Sequence, residues 1–405
     1  MILRILLYEA NVIIREGTMK TRVPASVLLV VALLWGCARA ETLSATEVRP
    51  GVYMSNDPID FPFPTSGYTV YIVGESHGNR ETKLVFQAYL KKLYEKAGLR
   101  DVILEEDQAH EIEANAYIHG LSDELPSALC LRADILQQIR EFNLNLPDEE
   151  KVTVHLVDVD SPLPIIYKHL AELYRQLGDK GESISFPDLS EFRGWNGKKM
   201  RKLIDEVRSV STGQPDIING LDTVSLSLEW YFLGNRLEIG WPRGTRAKFA
   251  PIREDVITNN IEYILKQLNG KPVLAFFGAA HGMKVMADPT FPVEGFKSWA
   301  ERLVDENVEV YSLAMFGASG KSFWHERSLP SDEEFLREFK LTDGISLISL
   351  FDTYTIPDIV YTDLQAEENS TIRLSPDLLD VPASQLFDGV VIFRKFNPME
   401  NVCPK

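Results

Sequence analysis

Residues 70–82, VYIVGESHGNRET, place a short apolar run directly before a glycine, a carboxylate and an imidazole. Apolar, β-branched runs of this length are typical of strands that are buried on both faces of a sheet. Residues 81–97 follow with apolar side chains near helical spacing, Asn79 as the expected N-cap and Gly98 as the stop. With the apolar run Val102–Leu104, they form a strand, a helix and a strand within about 35 residues, which predicts a βαβ unit.

The pattern continues along the chain. Further strands are predicted at Val152–Val157, Val273–Phe277, Val308–Leu313 and Gly389–Phe393. Further helices are predicted at Glu111–Ile118, Ser127–Phe142, Leu163–Leu177, Lys198–Val210, Leu221–Leu237 and Ile252–Leu268, with a loop at Gly240–Pro251. The sequence therefore predicts the α/β class: a mainly parallel sheet with helices on both faces and a helical insertion.

The sequence predicts an N-terminal segment followed by one domain, within which two regions are distinguished. Residues 1–40 form an N-terminal segment to be removed, and residues 41–405 form a single α/β domain. Within that domain, residues 161–251 are the mostly helical insertion, because most helical patterns between the third and fourth strands fall there. Residues 317–405 are expected to be an irregular C-terminal extension, since their sequence is Pro-rich and weakly periodic.

The N-terminal segment has the features of a secretory signal peptide. Basic residues at 20 and 22 precede the apolar run Val27–Trp35, and Ala38-Arg39-Ala40 fits cleavage before Glu41. The apolar run is far shorter than the ~20 residues that span a bilayer. We expect a periplasmic or secreted protein, with residues 1–18 as an upstream start artefact. The alternative is a lipoprotein with a lipid anchor at Cys37.

The formal net charge of −17 limits the partners. Residues 1–40 carry five Lys/Arg and two Asp/Glu, so their removal changes the charge from −17 to −20. A chain this acidic repels phosphate backbones and anionic lipid, which argues against nucleic acid and against a membrane partner beyond the possible anchor. A cationic or neutral small-molecule substrate is expected.

Two cysteines, Cys130 and Cys403, follow the predicted cleavage site. An oxidising compartment permits them to form a disulfide. Two buried thiols are the alternative.

Polar side chains follow four of the predicted strands. Because ligands bind outside the carboxyl ends of parallel strands, these side chains are expected to converge. A carboxylate beside an imidazole suits general acid/base chemistry, and two imidazoles with a carboxylate suit a divalent metal. The residues are Glu75 and His77 after the first strand, Glu105 after the second, Asp158 and Asp160 after the third, and His281 after the fourth. The alternative for Asp158 and Asp160 is helix capping.

The remaining histidines lack this placement. His155 lies inside a predicted strand and is expected in the core, and His169 lies inside a helix. His110, His119 and His325 follow no strand. The chain has no Gly-x-Ser-x-Gly motif, which argues against a standard serine hydrolase, although Ser76 remains an alternative nucleophile beside His77.

Taken together, four motifs resemble those of the erythromycin esterase/ChaN/Tiki-TraB superfamily. The first is the turn Gly74-Glu75-Ser76-His77-Gly78, and the second is a strand that ends in Glu105. The third is the helix start Arg253-Glu254-Asp255, and the fourth is the histidine turn Phe276–Lys284. They occur in family order and cover roughly residues 69–313.

The resemblance implies an α/β sheet with a helical insertion and a pocket at the strand ends. In the esterase branch the first-turn histidine is thought to activate water against an ester, a role that falls by position to His77. Glu75 and Glu105 would orient or assist His77, and Arg253 and His281 would complete the pocket. The expected function is therefore an exported hydrolase of an ester or related bond.

One departure from the esterase branch leaves two alternatives. A single residue separates Glu75 from His77, whereas that branch usually has two. This spacing is closer to the ChaN type, which is associated with haem binding, and would make His77, His281 or a tyrosine an axial ligand. The Tiki-TraB branch is associated with metal-dependent proteolysis, for which His77, Glu105 and His281 would hold a divalent metal.

Overall fold

The computed structural model describes seven stretches of the chain: residues 44–187, 197–235, 246–286, 295–324, 335–340, 347–374 and 381–399. The predicted signal peptide with Cys37, and also His325 and Cys403, lie outside them. Within these stretches, no helix combines the length and the apolar character needed to cross a membrane.

The secondary structure is a mixture of strands and helices. The strands are β1 Thr46–Arg49, β2 Val52–Ser55, β3 Val70–Glu75, β4 Asp101–Asp107, β5 Thr153–Asp158, β6 Val273–Gly278, β7 Val310–Gly317, β8 Ser319–Trp324, β9 Phe335–Lys340, β10 Ile359–Asp363 and β11 Gly389–Phe393. The helices are α1 Glu81–Ala97, α2 Glu111–Ile118, α3 Ala133–Asn143, α4 Leu163–Gln176, α5 Gly197–Val210, α6 Pro215–Asn235, α7 Arg246–Leu268, α8 Trp299–Asp305, α9 Leu350–Thr353 and α10 Ala383–Leu386.

Nine of these strands form one sheet in the order β1-β2-β10-β11-β7-β3-β6-β4-β5. The six strands from β11 to β5 run parallel to one another, and β10, β2 and β1 add an antiparallel edge beside β11. The predicted α/β class with a mainly parallel sheet is confirmed. Strands β3, β6 and β4 are adjacent, so their carboxyl ends lie side by side.

The two faces of the sheet are covered by different helices. Tyr71 and Val73 of β3 pack in one core with residues of α1, α2 and α3. Val70 and Ile72 pack in a second core, with residues of α7 and α8. Side chains alternate between the faces of a strand, and both faces are buried here, which explains why β3 is a continuous apolar run.

Helix α1 has the expected ends. Gly98 follows it with a φ of 70°, a left-handed conformation that glycine adopts without a Cβ penalty. At the other end Asn79 Oδ1 accepts a hydrogen bond from the Thr82 backbone nitrogen at 3.3 Å. Asn79 therefore makes the capping bond, although the helix begins one residue later than a standard cap at Asn79 would require.

Helices α4, α5 and α6 pack around an apolar cluster of their own, which includes Leu170, Ile204 and Leu221. Three helix starts differ from the sequence prediction. Helix α3 begins at Ala133, because Ser127–Arg132 form a 3-10 helix before it. Helix α6 begins at Pro215, because the fixed φ of proline suits the first helical turn. Helix α7 begins at Arg246 and continues through Pro251, so part of the loop predicted at 240–251 is helical.

The C-terminal part is more regular than the sequence predicts. Besides β11, it contains β10, which pairs antiparallel with both β11 and β2 inside the main sheet. Strands β8 and β9 form a separate antiparallel pair. Strand β10 was not predicted from the sequence, because the segments on either side of it contain proline and show no clear period. Its own residues include the β-branched and apolar types that favour a strand.

Candidate active site

The turn after β3 brings an acid and an imidazole together. Glu75 is the last residue of the strand, and its side chain is 4% exposed, whereas the side chain of His77 is 43% exposed. The Nδ1 atom of His77 lies 2.9 Å from Glu75 Oε1. Gly78 follows with a φ of 81°, which lets the backbone turn sharply towards α1. The buried carboxylate thus orients an imidazole that reaches solvent.

Glu105 lies inside β4, two strands from β3 across the sheet, and its side chain points to the end of β6 between them. Its Oε2 accepts a hydrogen bond from the Gly278 backbone nitrogen at 2.7 Å. A Cβ atom on Gly278 would lie 2.8 Å from His77 Nε2 and 3.5 Å from Glu105 Oε2. The His77 ring therefore lies directly against Gly278, on the side where Glu105 is bound.

Arg253, on α7, joins two of these strand ends. Its Nε and Nη2 bind both oxygens of Asp158 at 2.8 and 2.5 Å, in the forked geometry that a guanidinium offers to a carboxylate. Nη2 also lies 2.5 Å from Glu105 Oε1. Asp158 is therefore an ion-pair partner within the site.

His281 lies on the short 3-10 turn Ala279–Gly282 that follows β6. Its Nδ1 is 2.9 Å from Glu254 Oε2, and its Nε2 is 3.4 Å from Arg253 Nη1 and 3.6 Å from Glu105 Oε1. Glu254 is buried, and its Oε1 accepts a hydrogen bond from the Trp299 backbone nitrogen at 2.5 Å. The imidazole of His281 is thus held by a carboxylate, as that of His77 is.

One cation of the cluster was not identified from the sequence. Arg132, at the end of the 3-10 helix Ser127–Arg132, forms an ion pair with Glu75 through Nη1 and binds Glu106 Oε1 through Nε at 2.9 Å. It lies within the helix predicted at Ser127–Phe142 but follows no strand and belongs to no motif, so the sequence pattern does not mark it as a site residue. Glu254, also missed, does lie within the quoted Arg253-Glu254-Asp255 motif.

The neighbouring charges shift the pKa values of both members of the Glu75–His77 pair. Burial raises the pKa of Glu75, but Arg132 and His77 outweigh it and lower that pKa from 4.5 to about 2. Burial lowers the pKa of His77, but Glu75 and Glu105 outweigh it and raise that pKa above its ordinary value. The pair is therefore an ionised carboxylate beside an imidazole of increased basicity.

Glu105 and His281 follow the same pattern. Burial opposes ionisation of Glu105, but His281 and Arg253 outweigh it and lower its pKa. Burial lowers the pKa of His281, and Glu254 and Glu105 raise it above the ordinary value. In contrast, burial and the neighbouring carboxylates of Asp160 and Asp158 raise the pKa of Asp107, at the end of β4, to about 8.

The five predicted site residues Glu75, His77, Glu105, Arg253 and His281 are thus connected by the contacts described above. Asp160 binds other partners: its carboxylate lies 2.6 Å from His169 Nδ1 and accepts a hydrogen bond from the Ala109 backbone nitrogen at 2.9 Å. His155 was expected in the core. It is only half-buried in β5, and its Nε2 lies 2.9 Å from Asp101 Oδ1.

The cluster does not fit a divalent metal held by His77, Glu105 and His281. The Arg253 guanidinium already occupies Glu105 Oε1 at 2.5 Å and faces His281 Nε2 at 3.4 Å. A second cation there would meet a fixed positive charge. In the described stretches, no group of three or more His, Cys, Asp or Glu side chains has metal-binding geometry. Haem ligation by His281 fits poorly as well, since its two nitrogens face Glu254 and Arg253.

Comparison with known proteins gives a fold but no sequence relative. No family model matches the chain, and no curated protein matches it. Among solved structures, a Bacillus cereus protein aligns with a TM-score of 0.60 at 15% identity, covering 84% of this chain and 91% of that one. A protein described as a succinoglycan biosynthesis protein aligns with a TM-score of 0.60 at 13% identity, covering 88% and 95%.

The third similar structure is the erythromycin esterase EreC in its open conformation, with a TM-score of 0.60 at 12% identity, covering 84% of this chain and 93% of that one. The haem-bound ChaN of Campylobacter jejuni aligns with a TM-score of 0.26 at 11% identity, covering 61% of this chain and 81% of that one. The chain therefore has the fold of the erythromycin esterase structure, and the resemblance that its motifs predicted is confirmed at the level of fold.

Proposed function

We propose that this protein is an exported hydrolase that uses His77 to activate water against an ester or related bond. The observation that carries the proposal is the Glu75–His77 pair, in which a buried, ionised carboxylate holds the Nδ1 side of an imidazole whose ring reaches solvent. A histidine oriented in this way is suited to accept a proton from water. The fold shared with an erythromycin esterase supports the same reaction class.

In the proposed reaction, His77 removes a proton as the water oxygen bonds to the substrate carbonyl carbon. The carbonyl oxygen becomes an oxyanion, and the Arg253 guanidinium, 28% exposed and next to His281, provides positive charge at the same edge of the sheet. The carbon–oxygen bond to the alcohol then breaks. Protonated His77 returns its proton to the leaving alcohol, so a carboxylic acid and an alcohol are released.

An ester panel tests the reaction class. We expect turnover of at least one neutral or cationic ester that persists in chelator and falls with His77→Ala. A matched variant, His119→Ala, should keep its rate, because His119 binds the Val152 carbonyl oxygen away from the site. Ser76→Ala should retain activity if water is the nucleophile. Failure of every ester would overturn the proposal. Activity that only a divalent ion restores would favour the metal-dependent peptidase, and dependence on haem would favour the haem-binding function.

Export is part of the same proposal and rests on the N-terminal sequence. Mass spectrometry of the secreted protein should show a chain that begins at Glu41, or at a lipid-modified Cys37. Recovery of an uncleaved chain inside the cell would contradict this.

A further inference from the structure

A cavity of about 290 Å³ lies beside the edge strand β5. Its walls include β5, the start of α2, the C-terminal half of α4, the start of α6 and the end of α7. The volume is at the lower end of the roughly 300–1,000 Å³ that small-molecule sites occupy. None of the five connected residues of the candidate active site lines this cavity, so it is a separate place for a small ligand.

The ionisable lining of the cavity is dominated by carboxylates and imidazoles. These side chains are Glu111, Glu172, Asp216, His155 and His169. No lysine or arginine is among the described residues that line the cavity. Arg175 pairs with Glu172 from outside the lining, and it is 64% exposed. A lining of this composition attracts positive charge and repels anions.

Glu111 is the carboxylate of the lining whose contacts are most incomplete. Its Oε2 accepts a hydrogen bond from the Leu156 backbone nitrogen at 2.8 Å. Its Oε1 lies 3.9 Å from His155 Nδ1, which is longer than a hydrogen bond. Burial raises the pKa of Glu111, although His155 and the Leu156 hydrogen bond oppose that rise. A cation in the cavity would therefore stabilise the ionised form of Glu111.

Aromatic and apolar side chains complete the walls. The Tyr263 hydroxyl donates a hydrogen bond to Asp216, which fixes one end of the ring. Burial and Asp216 raise the pKa of Tyr263 to about 12, so the phenol is neutral at ordinary pH. The face of an aromatic ring attracts cations. Leu173 and Ile264 add buried apolar surface, which suits a carbon chain.

We propose that this cavity is a binding site for a small organic ammonium ion, with the charged nitrogen held by the Glu111 carboxylate and the carbon chain against Leu173 and Ile264. An ammonium N–H donates a charge-assisted hydrogen bond to a carboxylate oxygen. Asp216 adds a second negative charge to the lining. The site does not depend on the proposed hydrolase function, because none of its residues belongs to the catalytic cluster.

Calorimetric titration of the full chain with n-butylammonium tests the proposal. This ion stays charged at neutral pH, since alkyl amines such as that of lysine have a pKa near ~10.4. The matched neutral probe is 1-butanol, and Mg²⁺ is the inorganic control. We expect binding of the ammonium ion alone. Absence of ammonium binding at millimolar concentration, or equal binding of 1-butanol or Mg²⁺, would overturn the inference.

NMR of the histidine rings locates the bound ion. The signals of His155 and His169 should shift on titration, because both rings line the cavity. Those of His77 and His281 should stay in place. Shifts confined to His77 and His281 would put the ion in the candidate active site and contradict the proposal.

Glu111→Gln tests the residue that carries the recognition. The amide keeps the acceptor for the Leu156 nitrogen but removes the charge, so the affinity for n-butylammonium should fall by roughly tenfold to 10²-fold. Asp216→Asn keeps the acceptor for Tyr263 and should also weaken binding. Glu95→Gln, at an exposed position of α1, is the matched control and should bind as the wild type does. Equal affinity of Glu111→Gln and Glu95→Gln, with unchanged melting temperatures, would contradict the assignment.

The affinity for n-butylammonium should also increase with pH. Burial raises the pKa of Glu111. Burial lowers the pKa of His155, but Asp101 and Glu111 outweigh it and raise that pKa. As pH rises through these values, Glu111 gains negative charge and His155 loses positive charge. The other titratable groups of the lining are His169, Glu172, Asp216 and Tyr263, and their deprotonation has the same sign.

Calorimetry at several pH values measures this dependence. The increase should be smaller in Glu111→Gln, because one of the two shifted groups is absent. An affinity that is constant or falls with rising pH would overturn the inference. Failure of every ester in the activity panel would end the proposed function but would leave these binding results to decide the cavity.

Discussion

His77 Nε2 lies 2.8 Å from the position that a Cβ atom would take on Gly278. Gly278 has a φ of −55°, which any residue adopts, so the glycine is needed for space and not for backbone freedom. Gly278→Ala should therefore displace the imidazole. We expect kcat to fall by roughly tenfold to 10²-fold in steady-state kinetics with little change in melting temperature, because misplacement by about 1 Å costs that much.

The same substitution in a His77→Ala background is the control for this prediction. If Gly278→Ala acts by moving His77, it should cause no further loss once the imidazole is absent. An equal loss in both backgrounds would show that Gly278 acts through another group, such as its hydrogen bond to Glu105.

Arg132 should matter more for stability than an exposed arginine does. Its side chain is 11% exposed, and Arg132→Gln would leave the buried Glu75 without its main cation. Removal of one partner of a buried ion pair costs about 3–5 kcal/mol of unfolding free energy. Burial would then act on Glu75 with less opposition, so its pKa should rise from about 2. Denaturant unfolding and carboxyl titration by NMR measure the two effects.

Arg302→Gln is the matched control for Arg132, because Arg302 pairs with the half-exposed Asp255. Loss of a surface pair costs about 0–1 kcal/mol. Equal destabilisation by the two variants would contradict the role assigned to Arg132.

The pH dependence of kcat/KM should show an acid limb with its midpoint above 6.5, the ordinary pKa of histidine. A general base works only when it is neutral, and the pKa of His77 is raised, so the rate should increase as pH rises through that pKa. Burial lowers this pKa when Glu75 no longer opposes it. Glu75→Gln should therefore lower the rate and move the midpoint to lower pH; an unmoved midpoint would assign the limb to another group.

Much of the site could be predicted from the sequence, for a physical reason. Glu75 and His77 follow a strand directly, Glu105 lies near the end of the next one, and the carboxyl ends of parallel strands converge whatever the connections between them. Arg132 could not be predicted in the same way. It lies at the end of the 3-10 helix Ser127–Arg132, away from any strand end, and its position against Glu75 depends on tertiary packing that the local sequence pattern does not show. Strand β10 was not predicted because the sequence segments that flank it lack a regular pattern, although its own residues favour a strand.

The loss of turnover in His77→Ala tests the central claim most directly, with kcat measured on the best ester of the panel. Removal of a general base typically costs about 10²–10⁴-fold in rate. The His77 side chain is 43% exposed, so its truncation should leave the melting temperature close to that of the wild type. A fall in kcat of this size in a folded variant is the predicted result. Full activity of folded His77→Ala would contradict the assignment of His77 as the base.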